Sequence, residues 1–491
     1  MEHDPPPRPR RARRLRPAPS SPDTLAGLDE RKTLARAHTG SAGPRTGASG
    51  GAISRGRMAL LFTVMLVSAA GNTAMQSVMP SIGTALGVAD VWISLAYTWS
   101  ALLWVVCAPF WARRSDRRGR KAMMALGLVG FSVSMGLCGL SLWLGLAGVL
   151  PAVWTLILFA AFRSLYGGFG SAAPPAVQAY VASRTPREQR TEALSLIASS
   201  FGLGTVIGPA LAPLLVLPGL GLTGPFVIFA LFGLGALAAL RLRLPNDEPQ
   251  FAARGAAYDA PFGTSPPGRH EHDEDEEEAA TTNSAPQPAP AGKAMGWWEP
   301  RIRPWVVSGL LGGHAQAMII GFSGFLVLDR LGLRDDPAAG AGPVGLVLMA
   351  GALATLLAQW GVIPRLHLGP RAAVLGGVAL AALGTLLFAV ARDLHAIAFG
   401  YAVASLGFGL FRPGFTAGAS LAVTRGEQGE VSGIVASITG AAYVFAPALG
   451  VWLYGHSDWL AFVTIILLCA LVFANGWRTL DGDAAMTAGP R

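Results

Sequence analysis

The residues of this chain with chemistry to do are the few polar side chains inside its long apolar stretches. Arg163, in AAFRSLYGGFGSAAPP, sits about a dozen residues from the nearer end of its stretch. A charge that deep in hydrocarbon is costly and by default marks a binding site or ion pathway. A structural role, with the guanidinium satisfied by backbone carbonyls, is the alternative. Asn72, Gln76, His314, Gln316, Gln359 and Arg412 complete the set. Among them only His314 has an unperturbed pKa near neutrality, which suits either a proton carrier or a polar contact between helices. Several aromatic residues (Trp99, Trp104, Phe201, Trp360, Tyr443, Phe445) could line an apolar pocket or face lipid. No Asp or Glu lies mid-stretch; Asp90 and Asp116 are at the ends of one. That absence argues against strongly cationic substrates and weakens any specific proton mechanism.

Other chemistries find no residues. An enzyme needs converging acids, bases or metal ligands, and none converge. The P-loop pattern that would bind ATP is missing. Cys107, Cys138 and Cys469 form no spaced cluster, so neither a zinc site nor a disulfide framework is expected. The reading is a non-enzyme with no cofactor and no metal.

The elements that position these residues follow from composition. Of 491 residues, 52% are apolar and only 14% charged, with mean hydropathy +0.45; soluble domains carry about 25% charged residues. The net charge of +9 would suit nucleic acid, but the cations sit in short links between apolar runs, so a lipid bilayer is the partner expected instead. Twelve runs approach the ~20 residues that cross the hydrocarbon core: 58–80, 90–112, 121–147, 151–182, 191–217 and 222–244, then 303–328, 342–366, 371–391, 394–423, 430–454 and 458–478. Arg and Lys concentrate in the links after runs 2, 4, 8 and 10, whereas the links after runs 1, 3 and 5 carry none. Positive links stay cytoplasmic, so both termini are inside. The domains expected are an Arg- and Pro-rich disordered tail (1–57), a six-helix bundle (58–244), an acidic cytoplasmic linker (245–302), a second bundle (303–480) and a short tail (481–491).

The halves also repeat in sequence. GFGSAAP (168–174) matches GFGLFRP (407–413), and Glu188-Gln189 matches Glu427-Gln428. With one residue lost, 197–215 then aligns with 435–453, including Gly202 with Gly440 and Pro209-Ala210-Leu211 with Pro447-Ala448-Leu449. Matched runs cross the membrane in one direction. Such parallel repeats place a substrate site near the midplane, between halves that rock to expose it alternately.

The link after run 2, WARRSDRRGRKAMM, carries Asp116, Gly119, Arg120 and Lys121. It resembles the loop signature of the major facilitator superfamily, with Ala112 in place of the first glycine. The resemblance implies an all-α membrane fold of twelve helices in two bundles, with Gly119 as the turn. It also implies that Asp116 latches the halves by sitting near Ser432 and Gly433, at the positive N-terminal end of helix 11. The corresponding link of the second half has Leu366 where the acid should be, so no acid-based latch is expected there. Run 4 resembles the family's fourth-helix pattern, with Arg163 facing the cavity and Tyr166 replacing the usual Gln. Gly204, Gly208 and Pro209 in run 5 resemble the motif of its exporters, although Ala212-Pro213 replaces a final glycine pair. Runs 1, 4, 7 and 10 line the cavity in this family, which covers Asn72, Gln76, Arg163, Tyr166, His314, Gln316 and Arg412.

The similarity is to the twelve-helix drug/proton antiporter and tetracycline-efflux branch. It implies a monomeric, multi-pass plasma-membrane protein (in the inner membrane if the cell is Gram-negative) that exports small amphipathic compounds against a proton counter-flux. The alternative within transport is a metabolite such as a sugar or organic anion, taken up or exported; a membrane enzyme or sensor is the remaining class.

Overall fold

The computed structural model describes residues 53–185, 187–245, 296–423 and 427–482. The proposed tails 1–57 and 481–491 and the linker 245–302 lie largely outside these residues. Among the described residues every named element is helical, as hydrocarbon requires when no water is present to satisfy backbone groups. The first half comprises α1 (Arg55–Ala85), α2 (Asp90–Arg118), α3 (Arg120–Leu146), α4 (Ala152–Gly168), α5 (Ala173–Arg184), α6 (Arg187–Leu211) and α7 (Gly224–Arg243). The second comprises α8 (Arg303–Arg330), α9 (Pro337–Leu356), α10 (Ile363–Leu366), α11 (Pro370–Val390), α12 (Leu394–Leu421), α13 (Gln428–His456) and α14 (Asp458–Thr479).

Among the described residues eleven helical stretches are long and apolar enough to span a membrane. The fifth expected run is shorter than 191–217. In α6 only Leu196–Leu211 is apolar, and a 3₁₀ turn at Pro213–Leu215 follows. Run 4 is not one helix either. It breaks after Gly168 into a 3₁₀ turn, Gly170–Ala172, before α5 resumes. The indole Nε1 of Trp111, on α2, donates to the Gly168 carbonyl at 2.5 Å, satisfying an acceptor at the break. Run 8 opens earlier than expected, at Pro337, where Asp336 caps the helix by accepting from the Ala339 amide. Between α9 and α10 it widens into a π-helical turn at Leu357–Val362. Gly119 separates α2 from α3 with φ +89°, a conformation that a side chain would strain.

Within the first half α6 packs on α1, and within the second α13 packs on α8. Glycines make the first contact close: a Cβ on Gly204 would lie 2.6 Å from Ala69 Cβ and 2.8 Å from the Leu66 carbonyl. Its counterpart in the second half uses Gly450 of α13, where a Cβ would lie 2.7 Å from the Met318 carbonyl. Between halves, α2 packs on α13 and α6 on α9. Those are corresponding pairs, as a two-fold axis along the bilayer normal would produce, so the twelve runs form two parallel-repeat bundles.

The two ends of the molecule differ. At the end carrying the α1–α2 and α8–α9 links, buried residues of both halves (Met79, Ile82 and Ile93 with Phe325, Leu328 and Val344) join one hydrophobic cluster. Polar contacts reinforce it. Arg334 donates to Asp90 through Nη1 (2.8 Å) and Nη2 (2.7 Å), to Asp329 through Nε (2.7 Å), and to Thr84 Oγ1 (3.0 Å). The Tyr454 hydroxyl donates to Asp329 at 2.9 Å. At the opposite end the first half keeps a separate cluster around Leu61, Met124, Tyr180 and Leu240.

Candidate functional site: a cavity between the halves

A cavity of about 880 Å³ lies between the halves, within the size range of small-molecule sites. Its lining reaches Ile363, Ser420 and Leu421 at the end carrying the α2–α3 turn. Packing of α1 on α8 and α9 closes the other end; a Cβ on Gly324 would lie 2.6 Å from Pro80 Cγ. The cavity is thus accessible from one end.

Helical spacing builds its first wall. Asn72 and Gln76 project one turn apart from α1, Tyr97 and Trp104 two turns apart from α2, and Arg163 and Tyr166 from α4. Arg163 is 3% exposed. Its Nη2 donates to Asn72 Oδ1, and its guanidinium carbon lies 4.4 Å from the Tyr166 ring centroid and 5.6 Å from that of Tyr97. Cation–π contacts of this kind contribute roughly 0.5–2 kcal/mol. Neither Nε nor Nη1 has a hydrogen-bond partner. Trp104 stacks obliquely on Tyr166 at 5.1 Å, which fixes the ring beneath the cation.

The facing wall comes from α8, α9, α12 and α13. Gln316, Thr355, Gln359, Tyr401, Ser405, Arg412 and Tyr443 supply its polar groups. Arg412 lies on α12 near Tyr443, and the Thr355 hydroxyl donates to the Ser405 carbonyl at 3.2 Å.

Of the residues singled out in the sequence, the structure brings Asn72, Gln76, Arg163, Tyr166, Gln316 and Arg412 to this one cavity, and Pro209 lines it as well. His314 does not belong to the lining. Its Nδ1 lies 2.7 Å from the Leu310 carbonyl of its own helix. Gly204 and Gly208 face α1, and the Thr73 hydroxyl donates to the Gly204 carbonyl at 3.2 Å. Pro209 faces α9, where a Cβ on Gly345 would lie 2.7 Å from its carbonyl.

In the loop signature, Arg120 donates to Ser183 Oγ at the end of α5. Lys121 donates to the Arg241 (3.1 Å) and Leu244 (2.5 Å) carbonyls at the end of α7. Both cations therefore tie helices of the first half together, and Lys121 also satisfies carbonyls at the C-terminal end of α7. The side chains of Asp116 and Ser432 lie outside the described residues.

Trp104, Phe201 and Tyr443 line the cavity, whereas Trp99, Trp360 and Phe445 are exposed on the outer surface, where lipid would cover them. Tyr97 and the Tyr401–Ser405 pair escaped the sequence reading. Tyr97 precedes Trp104 by two helical turns, a spacing that would have placed both on one face. The serines and tyrosines of α12 carry no such signal, because small polar residues are common at helix contacts in membranes.

Residues 61–368 match the model of the Major Facilitator Superfamily, more than half of the chain. The chain belongs to that superfamily and is a multi-pass membrane protein. It is 27% identical over 154 residues to the multidrug resistance protein MdtG of Proteus mirabilis (strain HI4320), covering 30% of this chain and 35% of that one. It is also 32% identical over 169 residues to the multi-drug resistance efflux pump PmrA homolog of Lactococcus lactis subsp. lactis (strain IL1403), covering 34% and 38%. These alignments thus span little more than a third of the relatives' length. In three dimensions the chain is similar to the human organic anion transporter MFSD10, with TM-score 0.54 and 19% identity over 85% of this chain and 98% of that one. It is likewise similar to a bacterial homolog of the lysosomal transporter Spinster in an inward-facing, unoccupied conformation, with TM-score 0.60 and 13% identity over 86% and 96%. Both likenesses concern the fold.

Proposed function

We propose that this chain is a transporter that exports small amphipathic compounds by alternating access. The observation that carries the reading is the cavity itself, which mixes aromatic walls with a few polar groups and is closed at one end while reaching the other. The multidrug-resistance names of the two sequence relatives point the same way, as does α6, whose Gly204, Gly208 and Pro209 wedge between α1 and α9 at the junction of the halves. The Arg-rich turns support a cytoplasmic position for the accessible end, and in this reading a compound enters from the cell interior. Closing of that end, with release of the Arg334–Asp90 contact at the other, then exposes it outside.

Counter-flow of protons is the energy source implied by the family resemblance. The described cavity lining contains no carboxylate or imidazole, so the coupling group lies elsewhere than on this wall. Over-expression in a sensitive host tests the export reading. Tolerance of at least one amphipathic compound in a broad panel should rise, and Arg163→Ala should abolish the rise. A panel with no response at all removes the reading. Uptake into inverted vesicles, with and without an imposed pH gradient, tests the drive separately: indifference to the gradient rules out proton coupling.

A further inference from the structure

Resting on the export reading, we propose that the cargo of this cavity carries an anionic group, a carboxylate, sulfonate or phosphate ester on an apolar scaffold, recognised at the Arg163 wall. The described lining holds two guanidinium groups, Arg163 and Arg412, and no Asp, Glu, Lys or His. Among the described residues no carboxylate pairs with Arg163. Its hydrogen-bond partner is the neutral oxygen of Asn72, and the remaining two nitrogens have no acceptor. At 3% exposure this cation has also given up most of its water. The two tyrosine faces compensate part of that loss through their quadrupoles. They cannot accept its N–H bonds in the manner of a carboxylate, and buried donors left unpaired are costly.

An anion against this wall supplies the missing charge, in a setting where low polarisability strengthens the attraction, and a turn of the guanidinium toward the cavity would give its two buried, unpartnered nitrogens the missing acceptors. A cation there would meet repulsion from Arg163, whose hydrogen-bond partner is neutral. The rest of the cavity suits an apolar scaffold: Trp104, Phe201 and Phe408 contribute flat surface, and the hydroxyls of Tyr401 and Ser405 stand on the facing half. Selectivity in this arrangement is set by the absence of an acid as much as by the presence of the arginines. Asn72 is then a positioning residue. It holds the guanidinium without neutralising it, and an aspartate in its place would do both.

The test uses the purified full chain and three probes on one ring system: 2-naphthoate, its neutral amide 2-naphthamide, and the cation 2-naphthylmethylammonium. Binding is read by ligand-induced thermal stabilisation, and transport by reconstituted vesicles. One charge-assisted interaction predicts that the naphthoate binds about tenfold or more tightly than the amide, with the ammonium weakest. Asn72→Asp should bring the naphthoate down to the level of the amide while leaving the unliganded melting temperature near that of the wild type, because an Asp–Arg pair is formed. Arg163→Gln should erase the preference in the same way. Equal affinities for the three probes, preference for the ammonium, failure of all three to bind, or an anion preference that survives Asn72→Asp would each overturn the inference. Transport of the amide or ammonium without any anion preference would overturn it while leaving export intact. Preferred binding of the naphthoate without its export would instead retain the inference and remove the export reading.

Discussion

Replacing Asp90 by Asn should loosen the closed end of the molecule. Asp90 stands at the start of α2 and Arg334 in the link before α9, so their contact joins the two halves. Their side chains are 22% and 30% exposed. Fully exposed ion pairs contribute about 0–1 kcal/mol, and removing one partner of a buried pair costs about 3–5 kcal/mol. This pair lies between those limits. Two features keep the effect near the lower one: Arg334 retains Asp329 after the change, and the asparagine keeps one acceptor. A loss of about 1–2 kcal/mol then shifts the balance between closed and open forms of this end roughly 5- to 30-fold. Spin labels on the exposed Ala85 and Ala338, one in each half, should report a longer-distance population that grows by that factor. Arg334→Ala should shift it in the same direction, and the double variant should exceed the larger single effect little, since both remove one contact. Unchanged distances in Asp90→Asn would refute the assignment of this contact as a closure between the halves.

The same contact should be insensitive to alkaline pH. Hydrogen bonds that Arg334 donates to Asp90 first, and then to Asp329, hold its guanidinium above its ordinary pKa despite partial burial. A group with a raised folded pKa contributes below it, and the contribution is lost only as pH rises through it. Label distances should therefore stay constant from about pH 6 to pH 9, and widening within that window would contradict the assignment. Gly208→Val should lower both folded yield and transport, because a side chain there meets the Ala70 carbonyl and Thr73 on α1; overpacking of this kind costs about 1–3 kcal/mol. Wild-type melting of the solubilised variant would show that α1 and α6 are not close-packed. Lys121→Ala should destabilise by about 1 kcal/mol through carbonyls left bare at the end of α7, measured as a lowered melting temperature. Asp116→Asn should impair transport while leaving membrane insertion intact. Normal transport by that variant would count against the latch.

Membrane residence, the helical runs and the repeat were legible in the linear sequence, because each depends on local composition. A run of apolar residues must become a helix in hydrocarbon wherever it lies, and arginines in short links report sidedness without any tertiary contact. Arg163 announced itself for the same reason: a charge flanked by apolar neighbours is conspicuous in one dimension. Three things depended on folding. His314 and Gln316 are two residues apart on one helix, and only the packing of α8 against its neighbours sends Gln316 to the cavity and leaves His314 off it. Arg120 and Lys121 read as part of a loop signature, and only folding shows that the carbonyls and hydroxyl they reach belong to the ends of α5 and α7, some sixty to more than a hundred residues onward. The closure by Asp90 and Arg334 joins residues 244 positions apart, each an ordinary link charge in its own neighbourhood. Their meeting is a property of how two bundles lean together, which no local pattern of residues encodes.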